Sequence, residues 1–183
     1  NINEPFMRLR DEFNGTIGVA AWNWVIHGPI ELKFAMKTLM KSTALPAGTS
    51  REYFVDPPSL FIAPTAVFYW LFGVGEWQTR AGPILFSLLS LIIFWKLIAR
   101  VFKTPWLTAA SSFFYALFPM GIFYGSILIN DPFALFFILV LFLAVVVFEE
   151  ERQQKYLIGI CIITFLGGLS DWTFLFAAAA AWL

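Results

Sequence analysis

Long apolar runs separated by short polar clusters dominate the chain from about residue 81 onward. Four segments follow this pattern: Ala81–Phe102, Trp106–Ile129, Phe133–Phe148 and Tyr156–Leu169. A helix needs roughly 20 apolar residues to cross about 30 Å of hydrocarbon. The first two segments meet that length, and the last two approach it by recruiting polar residues at their ends. A fifth run begins near Trp172. Pro83 is expected in the first turn of one span, Pro105 just before the next and Pro132 at the opening of the third, positions where a helix tolerates proline. Pro119 lies inside the second span and predicts a kink there.

The first 57 residues carry a different pattern. Phe13–Ile26 predicts a helix rich in small and aromatic residues, broken by His27-Gly28-Pro29. Glu31–Met40 predicts a short amphipathic helix, with Lys33, Lys37 and Lys41 at successive i+4 positions on one polar face. The apolar run Ser59–Gly73 would reach only about 22 Å as a helix, short of a crossing. Lys96, Arg100 and Lys103 cluster at the end of the Ala81–Phe102 segment, and positive residues favour the cytoplasmic side. Alternating the spans from there, with Ser59–Gly73 as a juxtamembrane helix that does not cross, gathers Asp11, Asp56, Arg80, Asp131 and Asp171 on one extracytoplasmic face. A crossing at Ser59–Gly73 would instead separate Asp11 and Asp56 from Asp131.

Composition turns this pattern into a class. Of 183 residues, 60% are hydrophobic and 13% charged, with a mean hydropathy of +0.76. Soluble domains carry about a quarter charged residues, so this chain has too little polar surface to cover a globule. The expected fold is therefore an all-α polytopic transmembrane bundle with short juxtamembrane helices in its first outer loop. Residues 1–80 would form that extracytoplasmic loop and residues 81–183 the spans, in an integral, multi-pass protein of the plasma membrane or endoplasmic reticulum. Net charge is zero, and no basic run points to nucleic acid. The lone Cys161 allows no disulfide or cysteine metal site within the chain. The absence of Met at residue 1 and the short final run suggest a portion of a longer protein.

Acidic residues on the expected outer face are the candidates for chemistry. Asp11 and Glu12 follow Arg8 and Arg10 at a predicted helix start. They read either as dipole-complementing residues or as a general base taking a proton from an acceptor hydroxyl at the membrane surface. Asp56-Pro57-Pro58 and Asp131-Pro132 each predict a helix start, with Asp capping and Pro in the first turn. A carboxylate at the head of an apolar span is nonetheless costly unless water, a partner or a ligand meets it. Asp171, between Gly167-Gly168 and Trp172, reads as a turn residue. Arg80 would either snorkel to the interface or bind a lipid phosphate. His27 reads as a loop residue, and Asn14-Gly15-Thr16 matches the N-glycosylation pattern.

In this order the motifs resemble the polyprenyl-phosphate-sugar glycosyltransferases of the GT-C fold, especially the protein O-mannosyltransferases and lipid A aminoarabinose transferases. Asp11-Glu12 looks like the family's acidic pair in the first outer loop. Tyr53-Phe54-Val55-Asp56-Pro57-Pro58 is similar to its aromatic segment ending in a proline doublet. Leu71-Phe72-Gly73 with Arg80-Ala81-Gly82, Asn130-Asp131-Pro132-Phe133 and the glycine-punctuated Gly159–Leu169 follow in sequence. The resemblance implies an inverting transfer of a sugar from a polyprenyl phosphate to a protein or lipid acceptor. It makes Asp11, with Glu12 beside it, the base. Asp131, Arg80, Asp56 and Tyr53 become donor- or acceptor-binding residues, and membrane lipids the surroundings.

Two departures stand out. Relatives carry His or Lys before the proline doublet where this chain has Asp56, and aminoarabinose transferases carry Lys where it has Asp171. An acid repels a lipid phosphate, unless a divalent cation bridges the two. The alternatives to an enzyme are a catalytically inactive member serving as a structural subunit of a larger membrane complex, and a transporter. A transporter would bury its carboxylates mid-membrane, whereas this reading sets them at the surface.

Overall fold

The computed structural model describes residues 11–38, 53–54 and 58–181. Its elements in chain order are α1 (Asp11–His27), β1 (Met36–Lys37), β2 (Tyr53–Phe54), a 3-10 turn (Ser59–Ile62), α2 (Ala63–Phe72), α3 (Glu76–Phe102), α4 (Pro105–Ala116), α5 (Pro119–Tyr124), α6 (Asp131–Glu151), α7 (Gln154–Gly168) and α8 (Trp172–Ala181). The chain is all-α apart from one antiparallel pair, with Met36 opposite Phe54 and Lys37 opposite Tyr53.

Among the described residues two helices, α3 and α6, are long and apolar enough to cross a membrane. At 27 and 21 residues they extend about 40 Å and 32 Å. They run in the same direction. Near their starts Phe86 packs on Phe133 with ring centroids 4.7 Å apart. Near their ends Arg100 Nη1 lies 2.5 Å from Glu150 Oε2. The α3–α6 pair therefore has a head, carrying Arg80 and Asp131, and a foot, carrying Lys96, Arg100, Lys103 and residues 149–155. α7 and α8 pack against α6 around buried Leu141, Ile160, Phe174 and Ala178.

A second apolar cluster sits at the head. It joins Ile17, Ala20, Ala21 and Trp24 of α1 to Phe61, Ile62 and Tyr69, and to Leu128 and Phe133. Phe61 meets the same Phe133 ring that Phe86 meets, at 6.0 Å. α2 thus starts level with the head of α6, extends past it and doubles back along the first two turns of α3. Gly82 permits that close return: a Cβ there would stand 2.9 Å from Thr65 Oγ1 and 3.5 Å from Thr65 N. Farther along, Gln78 Nε2 donates to the Phe72 carbonyl at 3.1 Å.

Several expectations are corrected. The segment 106–129 is not one kinked helix. It breaks at Leu117–Phe118, where Phe118 turns extended (φ −61°, ψ 117°) ahead of Pro119, and the α5 that follows is six residues long. Pro119 restricts the residue before it to extended backbone, which ends α4 instead of bending it. α3 begins five residues before Ala81, so Pro83 lies in its interior and the boundary expected at residues 80–81 falls inside one helix. The amphipathic helix expected at Glu31–Met40 does not form in its described part. Residues 31–34 are a turn, with Lys33 and Phe34 left-handed (φ 51° and 57°), and Met36–Lys37 is a strand. Side chains of α1 take the carbonyls that a helix would use. Trp24 Nε1 donates to Ala35 O at 3.1 Å and Asn23 Nδ2 to Lys37 O at 2.6 Å, while Met36 is buried in the head cluster. Lys41 lies outside the described residues.

Candidate functional site

Three stretches far apart in sequence meet at the head: the start of α1, residues 127–131 before and into α6, and residues 167–171 from the end of α7 up to α8. The backbone N–H of Leu128 donates to Asn14 Oδ1 at 2.6 Å. Both residues are buried, Asn14 at 1% exposure and Leu128 at 0%. Asn130 Nδ2 donates to Asp171 Oδ2 at 2.6 Å, and the other oxygen of Asp171 accepts the Thr173 N–H at 2.9 Å. The Leu60 N–H donates to the Leu169 carbonyl at 3.1 Å, tying the 3-10 turn to the same junction.

This arrangement places the sequence candidates unequally. Asp11 opens α1, three residues or about 4.5 Å before Asn14. The start of α1 is thereby held beside the segment that leads into Asp131. The side chains of Asp11, Glu12 and Tyr53 lie outside the described residues, as does all of Asp56. Tyr53 contributes backbone to β2. Asp131 is the first residue of α6 and is exposed. It does not cap the helix as expected. Asn130 occupies the cap position without a side-chain cap bond, and its Nδ2 is turned to Asp171.

Arg80 is buried, with 8% exposure, on the second turn of α3. It shares a face with Ile84, Ser87 and Leu91, at i+4, i+7 and i+11. Those three line a half-open cavity of about 750 Å³ bounded by α3, α4, α5 and the head of α6, and Arg80 itself stands outside its lining. The walls are mostly apolar, and polar groups come from Ser87, Ser90, Tyr115, Tyr124, Ser126 and Asp131. Ser87 Oγ donates to the Gly125 carbonyl at 3.2 Å, holding the α5–α6 connection against α3.

Above the cavity, Tyr69 of α2 and Thr79 of α3 bond at 2.5 Å. Thr79 Oγ1 donates to Gly75 O at 2.9 Å, so its one proton is used and the Tyr69 O–H is the donor. Burial pushes the Tyr69 hydroxyl above its ordinary value of 10.0, and the bond to Thr79 pulls it partly back. The hydroxyl therefore stays neutral and serves as a structural donor between the two helices.

The family model described as dolichyl-phosphate-mannose-protein mannosyltransferase matches residues 56–183, well over half of the chain. The chain belongs to this family. No curated protein and no solved structure matches it. Mannosyltransferases of this family are membrane-embedded, and α3 and α6 fit that setting. Arg80 and Asp131 fall inside the matched segment, Asp56 opens it, and Asp11, Glu12 and Tyr53 precede it.

Three site residues are assigned differently from the sequence reading. Asn14, part of a glycosylation pattern, is buried with its carbonyl oxygen on Leu128, and a buried amide cannot carry a glycan in the folded protein. Asp171 is not a mere turn residue. It is 3% exposed, caps α8 and partners Asn130. Asn130 itself had no role in the sequence reading. An Asp two residues before a helical N–H is a legible cap signal. The pairing across 41 residues carries no such signal.

Proposed function

We propose that this mannosyltransferase-family chain forms part of an enzyme that transfers mannose from dolichyl or another polyprenyl phosphate to a hydroxyl of an extracytoplasmic acceptor, with inversion at the anomeric carbon. Asp11 acts as general base, with Glu12 beside it. Arg80 steadies the lipid phosphate, and Asp131 orients donor or acceptor at the mouth of the cavity. Asp56 and Tyr53 are the remaining candidates for binding donor or acceptor. The observation that carries this reading is the meeting of the α1 start with residues 128–131 at the head of the α3–α6 pair, inside a chain of this family.

Chemically, the acceptor oxygen attacks the anomeric carbon as its proton passes to the Asp11 carboxylate. The bond to the lipid phosphate breaks, and the phosphate leaves with the electron pair. Base catalysis of this kind contributes roughly 10²–10⁴-fold. A guanidinium is suited to the developing phosphate charge because it donates two parallel N–H bonds. The α2–α3 hairpin and the head of α6 lie on the outer side of a multi-pass protein, and the basic foot faces the cytoplasm.

The test uses the full-length protein in lipid nanodiscs with dolichyl-phosphate mannose and a Ser/Thr-containing acceptor peptide. Asp11→Asn is expected to lower kcat by at least about 100-fold without loss of expression. Arg80→Ala is expected to raise KM for the donor. Wild-type rates from Asp11→Asn would remove Asp11 from the mechanism.

A further inference from the structure

We infer that Asn14 is a positioning residue for the transfer reaction: its side-chain carbonyl clamps the start of α1, and with it Asp11, onto the segment that leads into Asp131. This rests on Asp11 being the base, and adds how that base is held.

The N–H of Leu128 lies in an irregular connection between α5 and α6, where no helix supplies its acceptor. Asn14 Oδ1 supplies it at 2.6 Å across 114 residues of chain. Both groups are shielded from water, so no solvent molecule stands ready to replace either one. On the α1 side, the amide sits one turn from Asp11. On the other side, Leu128 is three residues from Asp131. Other ties around the junction bind different partners: Asn130 to Asp171, and Leu60 to Leu169. The bond from Asn14 is a direct polar tie from α1 to the Leu128–Asp131 segment. Ile17, Ala20 and Ala21 hold the remainder of α1 through apolar contacts, which fix distance well and rotation about the helix axis poorly. A directional hydrogen bond near the first turn supplies the rotation. A base must stand within hydrogen-bond reach of the proton it takes, and a misplacement of about 1 Å can cost on the order of 100-fold in rate.

Asn14→Ala in the full-length protein is expected to lower kcat by about 30- to 100-fold with KM for dolichyl-phosphate mannose within about twofold. The comparison is Leu141→Ala, in the cluster between α6, α7 and α8, at a temperature chosen to match the loss of folded protein. That variant is expected to keep its kcat per folded molecule. Equal kcat losses in the two variants would reduce Asn14 to a structural residue and overturn the inference, as would a wild-type kcat in Asn14→Ala. Amide exchange gives a readout independent of activity. The Leu128 N–H should be protected in the wild-type protein and lose that protection selectively in Asn14→Ala. A fast-exchanging Leu128 amide in the wild type also overturns the clamp. Failures are separable. Full activity in Asp11→Asn removes the base and the clamp together. An inactive Asp11→Asn beside a fully active Asn14→Ala removes the clamp alone.

Discussion

Asp171 illustrates how one carboxylate at the head does two structural tasks. One oxygen caps α8 through Thr173, and the other receives the Asn130 amide. Loss of a cap costs about 1 kcal/mol, and stranding a buried amide costs about 1–3 kcal/mol more. Asp171→Ala should therefore destabilise the fold by about 2–4 kcal/mol, read by thermal or denaturant unfolding in detergent. Asp171→Asn keeps a capping oxygen but sets its own NH2 against that of Asn130, so it should recover only the cap, about 1 kcal/mol. Lys, the residue that aminoarabinose transferases carry at this place, would bury an ammonium here and should be worse than Ala. The acid at this position is thus explained by packing, without appeal to donor chemistry. The sequence disclosed Asp131-Pro132 as a helix start because the preference of proline for a first helical turn is local. It did not disclose Asn14 with Leu128 or Asn130 with Asp171, because each pair is joined only by tertiary folding.

At the scale of elements, periodic signals succeeded where apolar packing decides and failed where a few polar bonds decide. α3 was legible from hydrophobic length, and α6 reaches its length only by adding Asp131-Pro132 and residues 149–151 to the apolar run Phe133–Phe148. The lysine spacing at 33, 37 and 41 is a genuine helical period, yet Asn23 and Trp24 of α1 capture the carbonyls of Ala35 and Lys37 and draw the segment into a strand. The break at Leu117–Phe118 was visible as Pro119, but how far a proline disrupts a helix depends on what its neighbours can satisfy. Gly167 marks a further element-level constraint. A Cβ there, in the last turn of α7, would lie 2.5–2.6 Å from three carbons of the buried Phe174 ring. Gly167→Ala should cost about 1–3 kcal/mol by overpacking. Unfolding in detergent measures the cost, and Phe174→Leu should recover part of it by making room.

The molecule as a whole is polar at one end and apolar at the other extremity. Its foot carries Arg100 paired with Glu150 and Arg152 paired with Glu149. The α2–α3 hairpin beyond the head has no charge from Ser59 to Gly75 and exposes Trp70 (73%), Leu71, Phe72 and Val74. Little of the most apolar stretch of α3 is covered by the rest of the fold, as suits a lipid-facing helix. The hairpin tip is expected to dip into the lipid interface without crossing. A bimane label at Trp70→Cys, in a Cys161→Ala background, should be quenched by brominated lipids. The same label at Arg152→Cys should not be quenched, and equal quenching at both sites would contradict this placement.

The Asn14–Leu128 bond also has a consequence for biogenesis. Its partners are separated by 114 residues, and synthesis proceeds at about 5–20 residues per second. Roughly 6–23 s therefore pass between the emergence of α1 and that of the amide it receives. During that interval α1 can fold as a helix and pack on α2, but its first turn lacks the tie from Asn14 to Leu128. The acidic pair is delivered early and oriented late, so a nascent chain stopped before residue 128 should hold the carboxylates without the geometry that aims them.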